Sequence, residues 1–427
     1  MKERKFVFSE LSEEEYEDFI KGRDDLSFMQ TTSVAHLRKS YGSEIKYLGV
    51  KEKGKIKCGS MFSITNTFKG MKTFYAPRGF LIDYDDLELL KFYTNELSKY
   101  ARKRNGLMIK IDPNVNYQIR DINGNKYENV IPNDKVINTL KNLGFKHYGF
   151  NLDFEYTQSR WNFLLRLDVP YGELVNRFSK STRKNIESTY EKGISVRKAT
   201  EKDLESMEDI LIKTAERKNF KSRDLEYYKR MRKYLKDDVQ IYIAYIEKEK
   251  YLNCSKKRLE ESIEKLKEVE NKMKKDMIGA KLKKQYEIAT SSVEKCKNEL
   301  NEAEEFSKQI KDKKDIGVLI SVKSGKEYIT LYSGYLTEFS RFTPKYAMYN
   351  EHIKDAYKYG MNFCNFYGIS GVFDKNDKNY GMYEFKRGFG GEVQELIGEF
   401  SYPLSKWYYV YTLLKNTKRK LNKLRNK

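Results

Sequence analysis

The stretches VQIYIAYIE (239–247) and IGVLISVKSGKEYITLYSGY (316–335) decide the fold, because both are rich in Val, Ile and Tyr, as β-strands are. The second stretch predicts two strands joined by a turn at Gly325. Residues 248–315 separate the two stretches and differ from them completely in composition. A strand, a segment that projects into solvent and then the next strand of the same sheet indicate an insertion within one domain.

The inserted segment predicts an antiparallel coiled-coil hairpin. It is dense in Lys and Glu, and apolar positions recur at steps of three and four along both of its halves. A break at Ile278 and Gly279 gives the chain room to reverse. The two apolar stripes consist of Leu259, Ile263, Leu266, Met273 and Met277, and of Tyr286, Ala289, Val293, Cys296, Leu300, Ala303 and Ile310.

Outside the insertion, helix and strand patterns alternate, which predicts a mixed α/β or α+β protein with two comparable units. We expect a first domain over residues 1–150 and a second over 151–247 and 316–398. The hairpin occupies 248–315, and a C-terminal segment covers 399–427. The predicted helices are 11–20, 86–104, 133–143, 171–191, 201–216 and 224–235.

Composition indicates a folded protein, since 34 Tyr and 24 Phe are spread through 427 residues. No run is long and apolar enough to cross a bilayer, and the start of the chain lacks the apolar core of a signal peptide. We therefore expect a cytoplasmic protein.

Cysteine and histidine are too few and too scattered to predict a zinc site or a disulfide framework. Neither a GxxxxGKS loop nor a metal-ligand cluster is found, so neither ATP nor a metal is expected as a cofactor. Cys364 lies in a predicted strand with no sign of a base nearby, and we interpret it as a small core residue. The four cysteines are Cys58, Cys254, Cys296 and Cys364.

The formal net charge of +21 indicates a polyanionic partner. Nearly all of the excess lies in three segments, residues 177–198, 213–236 and 415–427. Such clustering favours nucleic acid, lipid headgroups or phosphorylated substrates over a role in solubility alone.

Six stretches together resemble the FemABX family, peptidoglycan bridge-forming peptidyltransferases that take amino acids from aminoacyl-tRNA. The resemblance spans the chain and includes the inserted hairpin, which the FemA and FemB branch carries. It implies two domains resembling GNAT acyltransferases, with segment 399–427 returning to the first. The stretches are FMQTTSVAHLRKSYG (28–42), FYAPRGFLIDY (74–84), NELSKYARKRN with LMIKIDP (95–113), FSKSTRKNIE (178–187), NFYGISGVF (365–373) and FKRGFGGEVQELIGEF (385–400).

The resemblance implies a reaction in which an amine of a lipid-linked muropeptide attacks the ester carbon of an aminoacyl-tRNA. Lys386, beside Phe385, matches the family position whose ammonium meets the developing oxyanion. Asp83 could orient the amine or accept its proton. The alternatives are that Lys386 is a solvated lysine on a strand edge and that Asp83 only forms a turn.

The resemblance also implies groups that hold the muropeptide phosphates and peptide. The alternatives are a solvated helix face for Lys180, Arg183 and Lys184 and a core position for Tyr332. Lys39 could replace Arg38, which stands where the family has a lysine. The predicted substrate-binding residues are Arg38, Lys39, Arg78, Lys180, Arg183, Lys184 and Tyr332.

Residues 213–236 interleave cations with Phe220, Tyr227, Tyr228 and Tyr234, which suits RNA; an amphipathic helix with an aromatic core face is the alternative. The predicted tRNA-binding residues are Lys218, Lys221, Arg223, Arg230, Arg232 and Lys233.

The tail WYYVYTLLKNTKRKLNKLRNK (407–427) combines aromatic residues with a basic helix pattern, so either tRNA or anionic lipid could bind it. We expect peripheral contact with the inner face of the plasma membrane, and the oligomeric state stays open. A coenzyme A dependent N-acetyltransferase and a non-catalytic RNA-binding coiled-coil protein are the competing functions. The N-acetyltransferase function lacks support, because no Q/RxxGxG/A phosphate-binding loop lies at the start of a helix.

Overall fold

The structure is a computed structural model that describes residues 4–154, 157–275 and 279–425, except for the side chains of 275 and 420–425. Within these residues, no helix combines the length and the apolar character that crossing a bilayer requires. The strands are β1 (Phe6–Glu10), β2 (Glu44–Glu52), β3 (Lys55–Phe68), β4 (Met71–Ala76), β5 (Gly106–Ile111), β6 (Asn116–Arg120), β7 (Lys146–His147), β8 (Trp161–Arg166), β9 (Ile194–Lys198), β10 (Val239–Glu247), β11 (Lys313–Ser324), β12 (Glu327–Tyr335), β13 (Phe363–Gly368), β14 (Glu392–Leu396) and β15 (Phe400–Pro403).

The helices alternate with these strands along much of the chain. They are α1 (Glu13–Ile20), α2 (Thr32–Lys39), α3 (Leu87–Arg102), α4 (Asp134–Asn142), α5 (Tyr171–Arg177), α6 (Lys180–Glu191), α7 (Leu204–Lys218), α8 (Leu225–Leu235), α9 (Lys248–Lys275), α10 (Ala280–Gln309), α11 (Pro344–Lys358), α12 (Tyr380–Arg387) and α13 (Trp407–Arg425). The mixed α/β class predicted from the sequence is confirmed.

The first sheet has the strand order β1-β2-β3-β4-β5-β15-β7, and its pairs are antiparallel except for β4 with β5. Helix α3 covers one face, where Leu90, Tyr93 and Leu97 are fully buried. These positions are three and four residues apart, so they lie on one side of the helix. Ile137 and Leu140 of α4 join the same core.

The second sheet has the order β6-β14-β8-β13-β12-β11-β10-β9. Helix α11 packs on one face with Met348 and Ile353 fully buried. On the other face Met207 of α7 and Met231 of α8 enter a core that also contains Tyr16 of α1, from the first unit. The two units therefore share a continuous hydrophobic core, which fixes one against the other.

The units also exchange strands. Strand β6 lies in the chain of the predicted first domain but pairs with β14 at the edge of the second sheet. Strand β15 follows the second unit and pairs with β5 and β7 of the first sheet. The predicted boundary that assigned all of residues 1–150 to the first domain is therefore wrong at β6.

The inserted coiled-coil hairpin is confirmed. Helices α9 and α10 pack against each other between the antiparallel partners β10 and β11. Arg258 and Glu299 form an ion pair of 2.7 Å across the hairpin. At its base, Tyr251 and Ala303 are buried in the core of the second unit. The predicted turn residue Ile278 and the stripe residue Met277 lie outside the described residues, and Gly279 immediately precedes α10.

We expect the outer part of the hairpin to be dispensable for folding. The segment 263–295 can be replaced by a short Gly-Ser linker, because the chain ends meet at the sheet: Lys248 N–H donates to Asp312 O at 2.8 Å. The base keeps its buried Tyr251 and Ala303. The thermal unfolding midpoint should stay within a few degrees of the parent, while Tyr251→Ala should lower stability by about 3 kcal/mol. A shortened protein that fails to fold would contradict this.

One predicted helix, 171–191, is in fact two. Phe178 has extended backbone with ψ 145 between α5 and α6, and its side chain is buried against Phe389, with ring centroids 5.3 Å apart. Ser179 then caps α6, accepting the N–H of Thr182 at 3.1 Å. Tertiary burial of Phe178 overrides the local helical pattern.

Candidate functional site

Lys386 lies on helix α12 and is buried, with 4% of its surface exposed. The alternative of a solvated lysine on a strand edge is therefore wrong. Its Nζ donates hydrogen bonds to two backbone carbonyls, Tyr367 O at 3.2 Å and Gly368 O at 2.6 Å. Two acceptors hold the amine in one position, which is what a group aimed at a reacting atom requires.

Burial lowers the pKa of Lys386 to about 7, because the charged amine loses its hydration. Near neutral pH the side chain therefore exchanges between charged and neutral forms.

The end of β13 shapes the carbonyl pair that binds Lys386. Tyr367 has the left-handed backbone conformation (φ 59), which is uncommon for a residue other than glycine. Asn365 supports this turn, because its Oδ1 accepts the Tyr367 N–H at 2.8 Å and its Nδ2 donates to Glu327 at 2.7 Å. Glu327 is half-buried, and burial raises the pKa of its carboxyl. A chain of hydrogen bonds thus runs from Glu327 to the lysine.

A second polar group faces this turn from the first unit. Asp112, which is 2% exposed, accepts the Arg78 N–H at 2.6 Å and the Tyr75 hydroxyl at 2.8 Å. Burial raises the pKa of Asp112, and Arg78 opposes the shift. The Arg78 guanidinium donates to Ser159 O at 2.6 Å, and Arg78 itself is left-handed (φ 56).

We name Tyr75, Arg78, Asp112, Gln158 and Tyr367 the interlobe cluster. The Tyr367 hydroxyl donates to Gln158 Oε1 at 3.0 Å, and Arg78 is close enough to oppose the rise that burial causes in the pKa of Tyr367. Residues of both units thus meet at this point. Backbone outside the ordinary regions at two of the five residues is typical of functional sites.

A cavity of about 520 Å³ lies beside Phe385. The N-terminus of α6 borders it through Ser179 and Thr182, and Lys345 lies 4.0 Å above the Phe385 ring. Burial, with a smaller contribution from the charge of Lys218, lowers the pKa of Lys345 to about 8. The wall is predominantly cationic, because Arg177 and Arg387 also line it, against Glu384.

The adjacent residues Phe385 and Lys386 of α12 face in different directions. Among the described residues that line the cavity, Phe385 is included and Lys386 is not. Lys386 instead reaches the carbonyl of Tyr367, a member of the interlobe cluster. Successive residues of a helix are about 100° apart, so one short helix separates the cavity from the cluster and touches both.

The structure distributes the predicted substrate-binding residues unevenly. Arg38 lies 5.8 Å above the Tyr75 ring and so joins Arg78 at the interlobe cluster. Tyr332 packs edge-on against Tyr228 at 6.1 Å and is half-buried. Arg183 is half-buried on α6, while Lys39, Lys180 and Lys184 are exposed.

Asp83 is a turn residue. Its side chain is exposed and accepts the Asp85 N–H at 2.9 Å, just before α3 begins. This geometry agrees with the turn-forming alternative and gives no support to a part in proton transfer. The buried carboxyl of the site is that of Asp112.

The predicted RNA-binding segment is partly structural. Arg230 donates to Ser40 O and pairs with Glu226, and Arg232 donates to Ala199 O at 3.0 Å. Tyr228 is buried in the shared core, so it is no stacking platform. Of the predicted tRNA-binding residues, Lys218, Lys221, Arg223 and Lys233 are exposed.

Sequence reasoning missed several residues of the site. Asp112 ends the buried stretch LMIKID, and a carboxyl at the end of a buried strand was the available signal. No sequence signal indicated Tyr75, Gln158, Glu327 or Asn365, because only tertiary contacts bring them together.

The sequence also matches a known protein family. The sequence model described as the FemAB family matches residues 11–416. The chain belongs to the FemAB family. The match includes both sheets apart from β1, the inserted hairpin and the first half of α13.

FemAB relatives align with nearly the whole chain. Aminoacyltransferase FemB of Staphylococcus epidermidis is 29% identical over 429 residues, which cover 97% of this chain and 100% of FemB. Aminoacyltransferase FemA of Staphylococcus aureus is 29% identical over 421 residues, 96% of this chain and 99% of FemA. The crystal structure of FemX superposes with a TM-score of 0.75 at 23% identity, covering 95% of this chain and 99% of FemX, which confirms the fold.

Proposed function

We propose that this FemAB-family enzyme transfers an amino acid from aminoacyl-tRNA to the stem peptide of a lipid-linked peptidoglycan precursor, at the inner face of the plasma membrane. Relatives named aminoacyltransferases support the class of reaction. The observation that carries the proposal is the position of Lys386, buried and fixed by two carbonyls between a cationic cavity and the interlobe cluster.

The transfer forms one bond and breaks one. The neutral stem-peptide amine attacks the ester carbon, a C–N bond forms, and the carbonyl oxygen becomes an oxyanion. The ammonium form of Lys386 stabilises that charge, an effect worth about 3 kcal/mol for a well-placed donor. The C–O bond to the ribose then breaks, and the tRNA hydroxyl leaves with the proton that the amine gives up.

The two substrates approach Lys386 from different directions and meet beside it, because the amine must contact the ester carbon. The muropeptide binds at the interlobe cluster, where Arg38 and Arg78 provide cations and Tyr332 adds an aromatic wall. A guanidinium forms paired hydrogen bonds with phosphate or carboxylate. Lys39 lies one residue from Arg38 and adds positive charge nearby.

The 3′ end of the charged tRNA enters the cavity beside Phe385. Its phosphates meet Lys345 and the N-terminus of α6, whose free N–H groups favour anions. Exposed cations then follow the RNA outwards, because phosphate contacts supply most of the affinity in such complexes. These cations are Lys180, Lys184, Lys218, Lys221, Arg223 and Lys233, together with the half-buried Arg183.

One experiment separates the candidate functions. The protein is incubated with charged tRNA and a lipid-linked muropeptide, and the mass of the stem peptide is then measured by mass spectrometry. A gain of one amino-acid residue is the expected result. Acetyl transfer from acetyl-CoA would instead indicate an N-acetyltransferase, and RNA binding without turnover would indicate a non-catalytic protein.

The rate should depend on the charge of Lys386. Because the pKa of Lys386 is about 7, its ammonium form is lost as the pH rises above 7. The kcat at saturating substrates should then fall, because the charge that stabilises the oxyanion is lost. Lys386→Arg keeps a charge at every accessible pH, so any residual activity of that variant should lack this decline. Single-turnover rates between pH 6 and about 9 measure it. A parent rate that falls no more steeply than that of the arginine variant would contradict it.

The same group affects stability with a defined sign. The folded-state pKa of Lys386 lies below its usual value of 10.5, so the unfolded state binds more protons between about pH 7 and 10.5. Lys386 therefore destabilises the folded state at low pH, and this cost diminishes as the pH rises through that window.

A further inference from the structure

Helix α13 is attached to the body of the protein by its first turns. Tyr408 is buried with Leu107 and Met108, and its hydroxyl lies 2.7 Å from Ser401 Oγ. Beside it, the ammonium of Lys69 lies 3.9 Å from the Trp407 ring centroid. From residue 413 to residue 419, every described side chain is exposed.

The exposed part carries large apolar side chains. Leu413 is 68% exposed and Leu414 54%, and Tyr409 and Val410 of the preceding turn are exposed as well. Positions 410, 413 and 414 are three and four residues apart, so they form one stripe on the outer side of the helix. A contiguous apolar stripe in water marks an interaction surface.

The charge around this stripe has a single sign. Residues 406–427 contain eight Lys or Arg and neither Asp nor Glu. Lys406, Lys415, Lys418 and Arg419 are exposed on the same helix or at its start. The partner must therefore provide negative charge and an apolar phase together.

Three partners can be compared on these grounds. RNA satisfies the cations, but bases stack on aromatic rings and on arginine, so the exposed leucines would gain little. A second copy of the helix would cover the leucines but place like charges side by side, which is unfavourable. An anionic bilayer surface accepts both, since acyl chains receive the leucines while lipid phosphates face the lysines.

We propose that α13 is a peripheral membrane anchor that inserts its exposed apolar stripe into an anionic phospholipid surface. Trp407 packs near Phe68 of the β3–β4 hairpin, with ring centroids 6.2 Å apart, and Lys69 occupies the turn of that hairpin. Aromatic rings with a neighbouring lysine suit the headgroup level of a bilayer. The anchor would hold the first unit at the surface on which a lipid-linked substrate resides.

Co-sedimentation of the full chain with vesicles tests the anchor. Vesicles of phosphatidylglycerol and phosphatidylcholine should bind the protein, and pure phosphatidylcholine vesicles should bind it at least about tenfold more weakly. The double variant Leu413→Asp/Leu414→Asp should also lose at least about tenfold in binding to the anionic vesicles. Circular dichroism verifies that the variant is folded.

A matched control is Ile288→Asp, which changes an equally exposed apolar residue (62%) on the hairpin and should leave vesicle binding unchanged. Equal binding of the parent and the double aspartate variant would overturn the proposal. So would a loss of tRNA affinity or of self-association in that variant with vesicle binding intact. Because binding is measured without turnover, and transfer to a water-soluble muropeptide can be assayed separately, failure of the anchor is distinguishable from failure of the proposed reaction.

Discussion

Lys386→Met is expected to reduce aminoacyl transfer by about 10²- to 10³-fold, the effect of removing one preorganised donor to an oxyanion. Methionine has a similar length and no charge, so it occupies the same buried space on α12. The affinity for the muropeptide should change little, because the group acts on charge that exists only during the reaction. Single-turnover transfer and equilibrium binding measure the two quantities separately.

A folding defect must be excluded, since the Tyr367 and Gly368 carbonyls lose their partner. An unpaired buried acceptor costs about 1–3 kcal/mol, but the variant also avoids burying an amine. The matched control is Lys99→Met, an exposed lysine on α3, which should keep full activity. A Lys386→Met enzyme that transfers at the parental rate would refute the role assigned to this side chain.

Gly391→Ala is expected to destabilise the protein by about 3 kcal/mol or more, enough to lower the unfolding midpoint by several degrees. Gly391 has φ +112, a conformation that side chains rarely adopt, and an added Cβ would lie 2.2 Å from Leu164 O. That carbonyl belongs to β8, whose Leu164 pairs with Glu392. The strand that follows α12 would have to move away from its partner.

Gly381→Ala provides the comparison for this substitution. Gly381 lies in the first turn of α12, and an added Cβ would have no heavy atom within 4 Å. Alanine is the better helix former, so this variant should be neutral or up to about 1 kcal/mol more stable. Thermal unfolding measures the midpoints of both variants. Equal midpoints would show that the close approach of the backbone at Gly391 leaves room for an added side chain.

Local patterns predicted the fold where local physics determines it. The heptad spacing of the hairpin and the Val- and Ile-rich strands around it required no distant information. The exchange of β6 could not be anticipated, because its partner β14 lies far along the chain. The break at Phe178 was hidden for a related reason, since Phe389 provides the contact that ends the helix.

The site was predictable only in part. Lys386 followed from its sequence context, but its placement on a helix did not, because glycines and aromatic residues around it suggested a strand. Asp83 attracted attention as an acid beside a glycine motif, yet the geometry favours Asp112. Asn365 and Glu327 become relevant only when β12 and β13 lie side by side.

The reciprocal exchange of β6 and β15 affects how the protein can be made. Strand β5 keeps an open edge until β15 arrives, and β15 lies beyond all the strands of the second unit. During synthesis β5 therefore emerges without its partner and stays unpaired until the second unit and β15 have been made. Truncation before β15 would leave that edge exposed for aggregation, and the two halves expressed as separate fragments would each lack a strand.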